Sequence, residues 1–524
     1  MASEPTPGLV AARPIGLLRS VATIGSMTLV SRVLGFVRDI MIAAVLGASP
    51  LADAFFVAFK LPNFLRRLFA EGAFNAGFVP MFAGTLEAEG EARARAFAAE
   101  AQAVLLAMLV PLVLLAIPAM PWVIRVLAPG FEVGGQRYDA AIELTRITFG
   151  YILFISLVAL YGGMLNSLGR FAAPAASPIV LNLALIAALV MSVLWLEVPA
   201  HALAWAVATA GLLQFLLLRA SLARREMAPP ITRPRLTERI RSLFARIAPG
   251  VIGGSAQQIS SLFDVFFASL LAPGAISYLY FADRLYQLPL GVIGVAVGTA
   301  LLPLLARQLR AGDLAAASHS QNRALELALL LTLPATAGLV VLAEPIVTVL
   351  FERGAFDAEA SLATAQAVIA YALGLPAYVL IKVLAPGFFA RGDTITPVKI
   401  AIGCIGANVL LMIALIGPLE HVGIALATAL SAWLNAALLG TFLYRAGRLA
   451  PDARLRRRLP RLALATAAMA LGLWLARPWV APLHPILALL LLIAAGGLGF
   501  LLLARISGGF DLAEVRTALV RRRP

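Results

Sequence analysis

The sequence predicts an all-α integral membrane protein of about fourteen transmembrane helices, arranged as two pseudo-symmetric six-helix lobes followed by two C-terminal helices. Three observations predict it. The 524-residue chain is 61% hydrophobic and only 13% charged, where a water-soluble domain carries about 25% charged residues. Apolar runs of about 20 residues, the length that crosses a hydrocarbon core, recur from one end to the other. Landmarks of the first half also return in the second in the same order.

The apolar runs place helices near 20–46, 51–84, 96–127, 140–166, 173–196 and 200–220 in the first lobe. The second lobe has them near 243–270, 276–306, 322–350, 361–390, 397–417 and 422–445, and two more follow near 461–480 and 485–505. Residues 1–19 form an N-terminal tail, 221–242 a linker, 446–505 the last two helices with their approach, and 506–524 a basic tail. The first twenty residues lack a small-residue cleavage site behind a short apolar core, so no signal peptide is expected.

An even number of crossings puts both ends on one side. The arginines of the N-terminal tail, of 219–246, of 445–461 and of the C-terminal tail then share that side. The opposite side has short connections in which Arg125, Arg137, Arg353 and Arg477 are mixed with Glu132, Asp139, Glu352, Asp357 and Glu359. The positive-inside rule therefore orients both termini to the cytoplasm. Topology and contact with anionic membrane lipids account for most of the +15 net charge, and nucleic acid is not expected as a partner.

The internal repeat pairs Asp39 with Asp264, Pro62 with Pro289, Pro80 with Pro303 and Asn182 with Asn408, at offsets of about 220–227 residues. Two like lobes in a membrane are the plan of a transporter that rocks to alternate its access. Enzymatic classes are not supported. The chain has no HExxH, GxSxG or P-loop and no loop large enough for a catalytic domain. A single cysteine, Cys404, excludes a disulfide framework and a cysteine-based metal site.

Ionisable residues inside the apolar helices carry the functional signal, because each costs a few kcal/mol at the bilayer centre and needs a cavity or a partner. In the first helix Ser31 and Arg38 are seven apart on one stripe, and Arg32 and Asp39 on the next, with Gly35 open to close approach. The second helix carries Asp53, Lys60, Asn63, Arg67 and Glu71 within one sector of an ideal helix, with Arg66 about 100° away. Pro62 kinks that helix and weakens the projection. The second lobe adds Asp283 and Arg284 near Gln287, and Lys382 late in a helix. The cations outnumber the anions, and arginine forks match phosphate oxygens, so an anionic phosphate ligand is expected. A cavity for cationic drugs would be acidic and aromatic instead.

Four stretches carry a family resemblance: SRVLGFVRDIMIAAVLG, ADAFFVAFKLPNFLRRLFAEGAF, YFADRLYQLPLGVIGVAVGTALLP and KVLAPGFFARGDTITPVKIA. They resemble the MurJ (MviN) family of lipid II flippases, within the multidrug/oligosaccharidyl-lipid/polysaccharide exporter superfamily. The resemblance implies fourteen helices around a cationic cavity, with the last two lining an apolar groove. It implies export of lipid II, the undecaprenyl-pyrophosphate-linked disaccharide-peptide precursor of peptidoglycan, across the bacterial inner membrane. It also implies Arg38, Arg66 and Arg284 as pyrophosphate ligands, and Arg32, Asp39 and Asp53 as positions important for function or gating. The motif thus favours Arg66 where helical projection favours Arg67, and we follow the motif. Gln287 stands where the family pattern has glutamate, which puts in doubt a proton or salt-bridge role there.

Lys60, Asn63 and Arg67 complete the expected cavity set, and Glu71, Ser31 and Asp283 its charge partners. No cofactor is expected. With no nucleotide motif, drive would come from membrane potential or from Na⁺ or H⁺, for which Asp264, Asn408 and Thr428 form a candidate cation site. Other cell-wall synthesis proteins are candidate partners. The alternative substrate is another polyprenyl-pyrophosphate oligosaccharide, of O-antigen or capsule, and a multidrug antiporter ranks third.

Overall fold

The computed structural model describes residues 14–66, 73–196 and 198–509. They are helical, and among them the only β-pairing is an isolated bridge between Arg353 and Phe356. In chain order the helices are α1 (Pro14–Leu46), α2 (Pro50–Leu65), α3 (Ala73–Leu127), α4 (Gln136–Phe149), α5 (Tyr151–Ser167), α6 (Ala172–Met191), α7 (Pro199–Ala223) and α8 (Glu238–Ser269). They continue as α9 (Ala275–Arg310), α10 (Leu314–Phe351), α11 (Ala358–Leu373), α12 (Leu375–Phe389), α13 (Ile395–Arg445), α14 (Ala453–Val480) and α15 (Pro485–Ile506). Nine stretches among the described residues are long and apolar enough to cross a membrane.

Several boundaries differ from the sequence expectation for identifiable reasons. The polar segment near 85–95, expected as a loop, stays helical except at Gly90, whose φ of 83° only glycine adopts without strain. Likewise α13 runs through the expected break near 418–421, and a single residue, Glu420 at φ 47°, marks the turn. The helix expected at 140–166 is two collinear pieces, α4 and α5, meeting at Gly150, and that at 361–390 is α11 and α12, meeting at Gly374. The end of α6 relaxes into a π-helical turn over Ser192–Leu196.

The chain folds as two compact units. The first takes its described residues from Met1–Ile42, Val57–Ile124 and Tyr138–Gln258. Here α5, α6 and α7 pack together. The linker between α7 and α8 is not a free tether. Arg95 Nε donates to Ala228 O at 3.0 Å, Thr232 Oγ1 to Ala99 O at 3.2 Å, and Arg239 pairs with Glu89 at 2.6 Å.

The second unit takes its described residues from Ala43–Phe56, Arg125–Arg137 and Ile259–Pro524. Its core joins α9, α10, α12 and α13 through residues such as Leu305, Val379, Val383 and Leu443. Helices α14 and α15 close on α10 through Leu342, Leu462, Met469, Leu473 and Phe500, and turn Leu464, Leu471, Trp479 and Leu498 outward. The turn after α1 requires glycine: a Cβ on Gly47 (φ 61°) would sit 2.2 Å from the Ala355 carbonyl oxygen. This close approach seats the start of α2, and with it Asp53.

Candidate functional site

In the first unit the site begins with the stripe of α1 that the sequence singled out. Ser31, Gly35 and Arg38 lie three to four residues apart, so all meet one neighbour. That neighbour is Asn182 of α6, whose side-chain amide lies 3.5–3.6 Å from where a Cβ on Gly35 would stand. The Asn182 amide donates to Ser31 O at 2.9 Å, and its oxygen accepts from Arg38 Nη1 at 2.8 Å. Arg38 Nε and Nη2 donate to Asp39 Oδ1 at 3.0 and 2.6 Å. Arg38, Asp39 and Asn182 are 7, 2 and 5% exposed, so this is a buried, charge-assisted network. Arg32, one turn away, is exposed and outside it.

Arg38 and Arg66 line one cavity of about 300 Å³ between α1, α2, α5, α6 and α7. Its wall also includes Tyr151, Asn166, Asn182 and Gln214. Gln214 is oriented by its own bonds, donating to Ser177 O at 2.7 Å and accepting from the Tyr151 hydroxyl at 3.4 Å. The sequence reading used Asn182 only as a repeat landmark and passed over Tyr151 and Gln214. A neutral amide in an apolar helix gives no charge signal, and its role shows only once the helices are packed.

Pro62 explains how α2 delivers Arg66. Proline has no N–H, so the Ala58 carbonyl loses its helical donor. Thr148 Oγ1 supplies one at 3.0 Å. Next to it, the Asn63 amide donates to Phe59 O at 2.8 Å. Asn63 is thus engaged with its own helix. Lys60 is half-buried on α2. Arg67 and Glu71 lie outside the described residues.

In the second unit Asp53 is fully buried. It accepts from Gly274 N at 2.7 Å, Ser277 N at 3.0 Å and Ser277 Oγ at 2.7 Å. The carboxylate therefore sits on the N-terminus of α9, where unpaired amides and the helix dipole favour an anion. One turn further along, Phe56 stacks on Tyr280 with centroids 3.9 Å apart, and the Arg284 guanidinium lies 4.6 Å from the Tyr280 ring centroid. The Gln287 amide donates to Asp283. Glutamine keeps the donor side of this contact, which a glutamate could make only when protonated.

The three residues of the candidate cation site lie in this unit. Thr428 Oγ1 is 3.5 Å from Asp264 Oδ1, and Asn408 Nδ2 donates to Ser260 Oγ at 3.3 Å. Asn408 Oδ1 is buried with no hydrogen-bond partner. Groups of three or more His, Cys, Asp or Glu side chains that could hold a metal do not occur among the described residues.

The family model for the lipid II flippase MurJ matches residues 42–493. The chain belongs to the MurJ family. It is 42% identical over 521 residues to a probable lipid II flippase MurJ of Rhizobium meliloti (strain 1021), covering 97% of each chain. It is 38% identical over 442 residues to the lipid II flippase MurJ of Burkholderia cenocepacia, covering 84% of this chain and 86% of the other. A solved MurJ structure in an inward closed conformation matches with a TM-score of 0.78 at 25% identity, over 92% of this chain and 98% of that one. An inward-facing multidrug resistance MATE family transporter of the MOP superfamily matches with a TM-score of 0.68 at 14% identity, over 82% and 98%; it shares the fold alone. The all-helical membrane fold class and the family expected from the sequence are borne out, and the chain is a multi-pass membrane protein.

Proposed function

We propose that this protein moves lipid II from the inner to the outer leaflet of the bacterial inner membrane by alternating access, with both termini in the cytoplasm. The observation that carries the reading is the buried Arg38–Asp39–Asn182 network opening with Arg66 onto one cavity, in a chain of the MurJ family. In this reading Arg38, Arg66 and Arg284 are the pyrophosphate ligands. The charged side chains among the described lining residues are both arginines, whose forks suit the oxygens of a diphosphate. The outward apolar faces of α14 and α15 suit the polyprenyl tail, which gains nothing from entering a polar cavity.

Drive comes from membrane potential or an ion gradient. Asp264, Asn408 and Thr428 are the coupling site in this reading. One carboxylate and two neutral oxygens suit Na⁺, or a proton on Asp264. The unsatisfied Asn408 oxygen supports it, since a buried acceptor without a donor is a ready cation ligand. An Asp264→Ala variant that transports fully at low sodium and low proton gradient would end this part of the reading.

The deciding experiment is complementation in a peptidoglycan-making bacterium whose own lipid II flippase is switched off. Wild type should rescue growth, while membrane-inserted Arg38→Ala, Arg66→Ala and Arg284→Ala should not. Rescue by all three sinks the pyrophosphate assignment. Failure of well-inserted wild type moves the substrate to another polyprenyl-pyrophosphate oligosaccharide.

A further inference from the structure

Lys382 is an exposed lysine inside the membrane-spanning stretch Ala358–Phe389. A lysine in such a place ordinarily snorkels, running its stem toward the nearer end of its helix so that the ammonium reaches the interface. The nearer end is Phe389, about 10 Å away along the axis at 1.5 Å per residue. Lys382 does not use it. Its Cβ lies beside Gly298 of α9, 3.8 Å from where a Cβ there would stand. Its Cδ and Nζ lie beside Gly294, 2.9 and 3.0 Å from where a Cβ on that glycine would stand. The side chain therefore runs from the level of Gly298 to that of Gly294, away from Arg307 and Arg310 in the last turn of α9. It points toward the end of α9 that carries Arg284.

The two glycines make this path. A Cβ at Gly294 would displace the flexible end of the lysine, so the glycine leaves room for the ammonium to lie along α9. Among the described residues no carboxylate forms an ion pair with Lys382. An exposed ammonium inside a spanning stretch and turned away from the nearer interface is tolerable only where it meets water or an anion.

We propose that Lys382 is a second anion-binding station, which receives a carboxylate of the peptide stem of the transported headgroup. The proposal rests on the reading of lipid II as substrate. Arg284 and Gly294 are ten residues apart on α9, about 15 Å by the helical rise, a distance that about four to five extended peptide residues cover. Pro289 lies in α9 between them, so axial separation and not angular register carries the argument. A headgroup with diphosphate at one end and peptide carboxylate at the other has its charges separated on this scale. An ammonium suits the task, because the flexible stem lets a point charge follow a mobile carboxylate, where a guanidinium fork would demand fixed bidentate geometry.

The test measures binding of three ligands to the full-length protein in lipid nanodiscs: lipid II with free stem carboxylates, lipid II with those carboxylates amidated, and undecaprenyl diphosphate. Lys382→Gln should weaken the first about 10-fold or more, as expected for a lost charge-assisted bond, and leave the other two within about twofold. Lys382→Arg should restore much of the first. Arg284→Gln should weaken all three. If Lys382→Gln weakens all three alike, or none, while wild type binds normally, the stem assignment is overturned. If wild type binds none of them, the lipid II reading itself fails and takes this one with it. Independently, Lys382→Cys in a Cys404→Ala background should react with a water-soluble thiol reagent in intact membranes, since Cys404 is the chain's single cysteine. Absence of labelling would place the side chain in lipid and overturn the proposal.

Discussion

Two arginine clusters, one in each unit, look alike in sequence and differ in what they leave unsaid electrostatically. In the first unit, Arg38 spends its donors on Asp39 and Asn182 and still borders a cavity that Arg66 also lines. In the second, Arg323, Arg454 and Arg458 converge on Glu326, and Arg323 also reaches Asp452. Asp452 caps α14 by accepting from Leu455 N at 2.7 Å, and the Asn322 amide donates to Ala450 O at 2.9 Å. That cluster closes on itself and staples the start of α14 to α10. Counting arginines therefore does not identify a ligand site. What separates the two is whether the positive charge faces a cavity or other protein groups.

The sharpest way to break the comparison is Glu326→Ala. It leaves three arginines gathered around a missing anion, and removing one partner of a buried pair typically costs 3–5 kcal/mol. Arg454 is 38% exposed, so water screens part of this, and about 3 kcal/mol of lost stability is expected. Thermal unfolding in detergent should show it, while transport per correctly folded molecule stays close to wild type. Arg38→Ala also breaks a buried pair, with Asp39, and so costs stability too, but here transport per folded molecule should fall as well. Transport should fall about 10- to 100-fold, the range for losing a charge-assisted hydrogen bond to ligand, in protein that still inserts. If Glu326→Ala abolishes flipping without loss of stability, the second cluster is no mere staple.

The charge pattern that marked the first cluster is legible because ionisable residues stand out against apolar helices. The Ser31–Arg38 stripe, the proline inside α2 and Asp53 as a carboxylate in an apolar helix can all be read from spacing and residue type. Their partners cannot. Asn182, Gln214 and Tyr151 look like ordinary residues of apolar helices, and only packing makes them neighbours of Arg38 and Arg66. The Glu326 staple was hidden for a related reason. Arg454 and Arg458 belong to a basic run that the positive-inside rule already explained, so nothing in the run marked which arginines were paired. Element ends were least legible where one residue breaks a helix, as at Gly90 and Glu420, because the apolar pattern continues through the break.

Asp53 sharpens the comparison from another side, because this buried carboxylate is held by neutral donors at the start of α9. Asp53→Asn keeps the shape but replaces one acceptor oxygen by an NH₂ group, facing either Gly274 N or the Ser277 donors. A loss of about 1–3 kcal/mol is expected from a donor left unmatched. The checks are thermal stability and the transport rate. Ser277→Ala removes only the hydroxyl bond and should cost less, about 1 kcal/mol. Equal effects from the two substitutions would mean that the backbone amides contribute little.

The smallest expected effect tests whether Pro62, through a bend in α2, sets the place of Arg66. Thr148→Val is close in volume and removes the hydroxyl that serves the Ala58 carbonyl, so about 1 kcal/mol should be lost. Pro62→Ala restores a backbone N–H that could serve the same carbonyl. If the missing donor is what Thr148 compensates, the two changes must couple: Thr148→Val should cost clearly less in the Pro62→Ala background than in wild type. Transport then separates stability from purpose. A straightened α2 would carry Arg66 away from its place on the cavity wall, so Pro62→Ala should lower transport even where it leaves stability unchanged or improved. Additive stability effects with unchanged transport would show that the kink is incidental to where Arg66 sits.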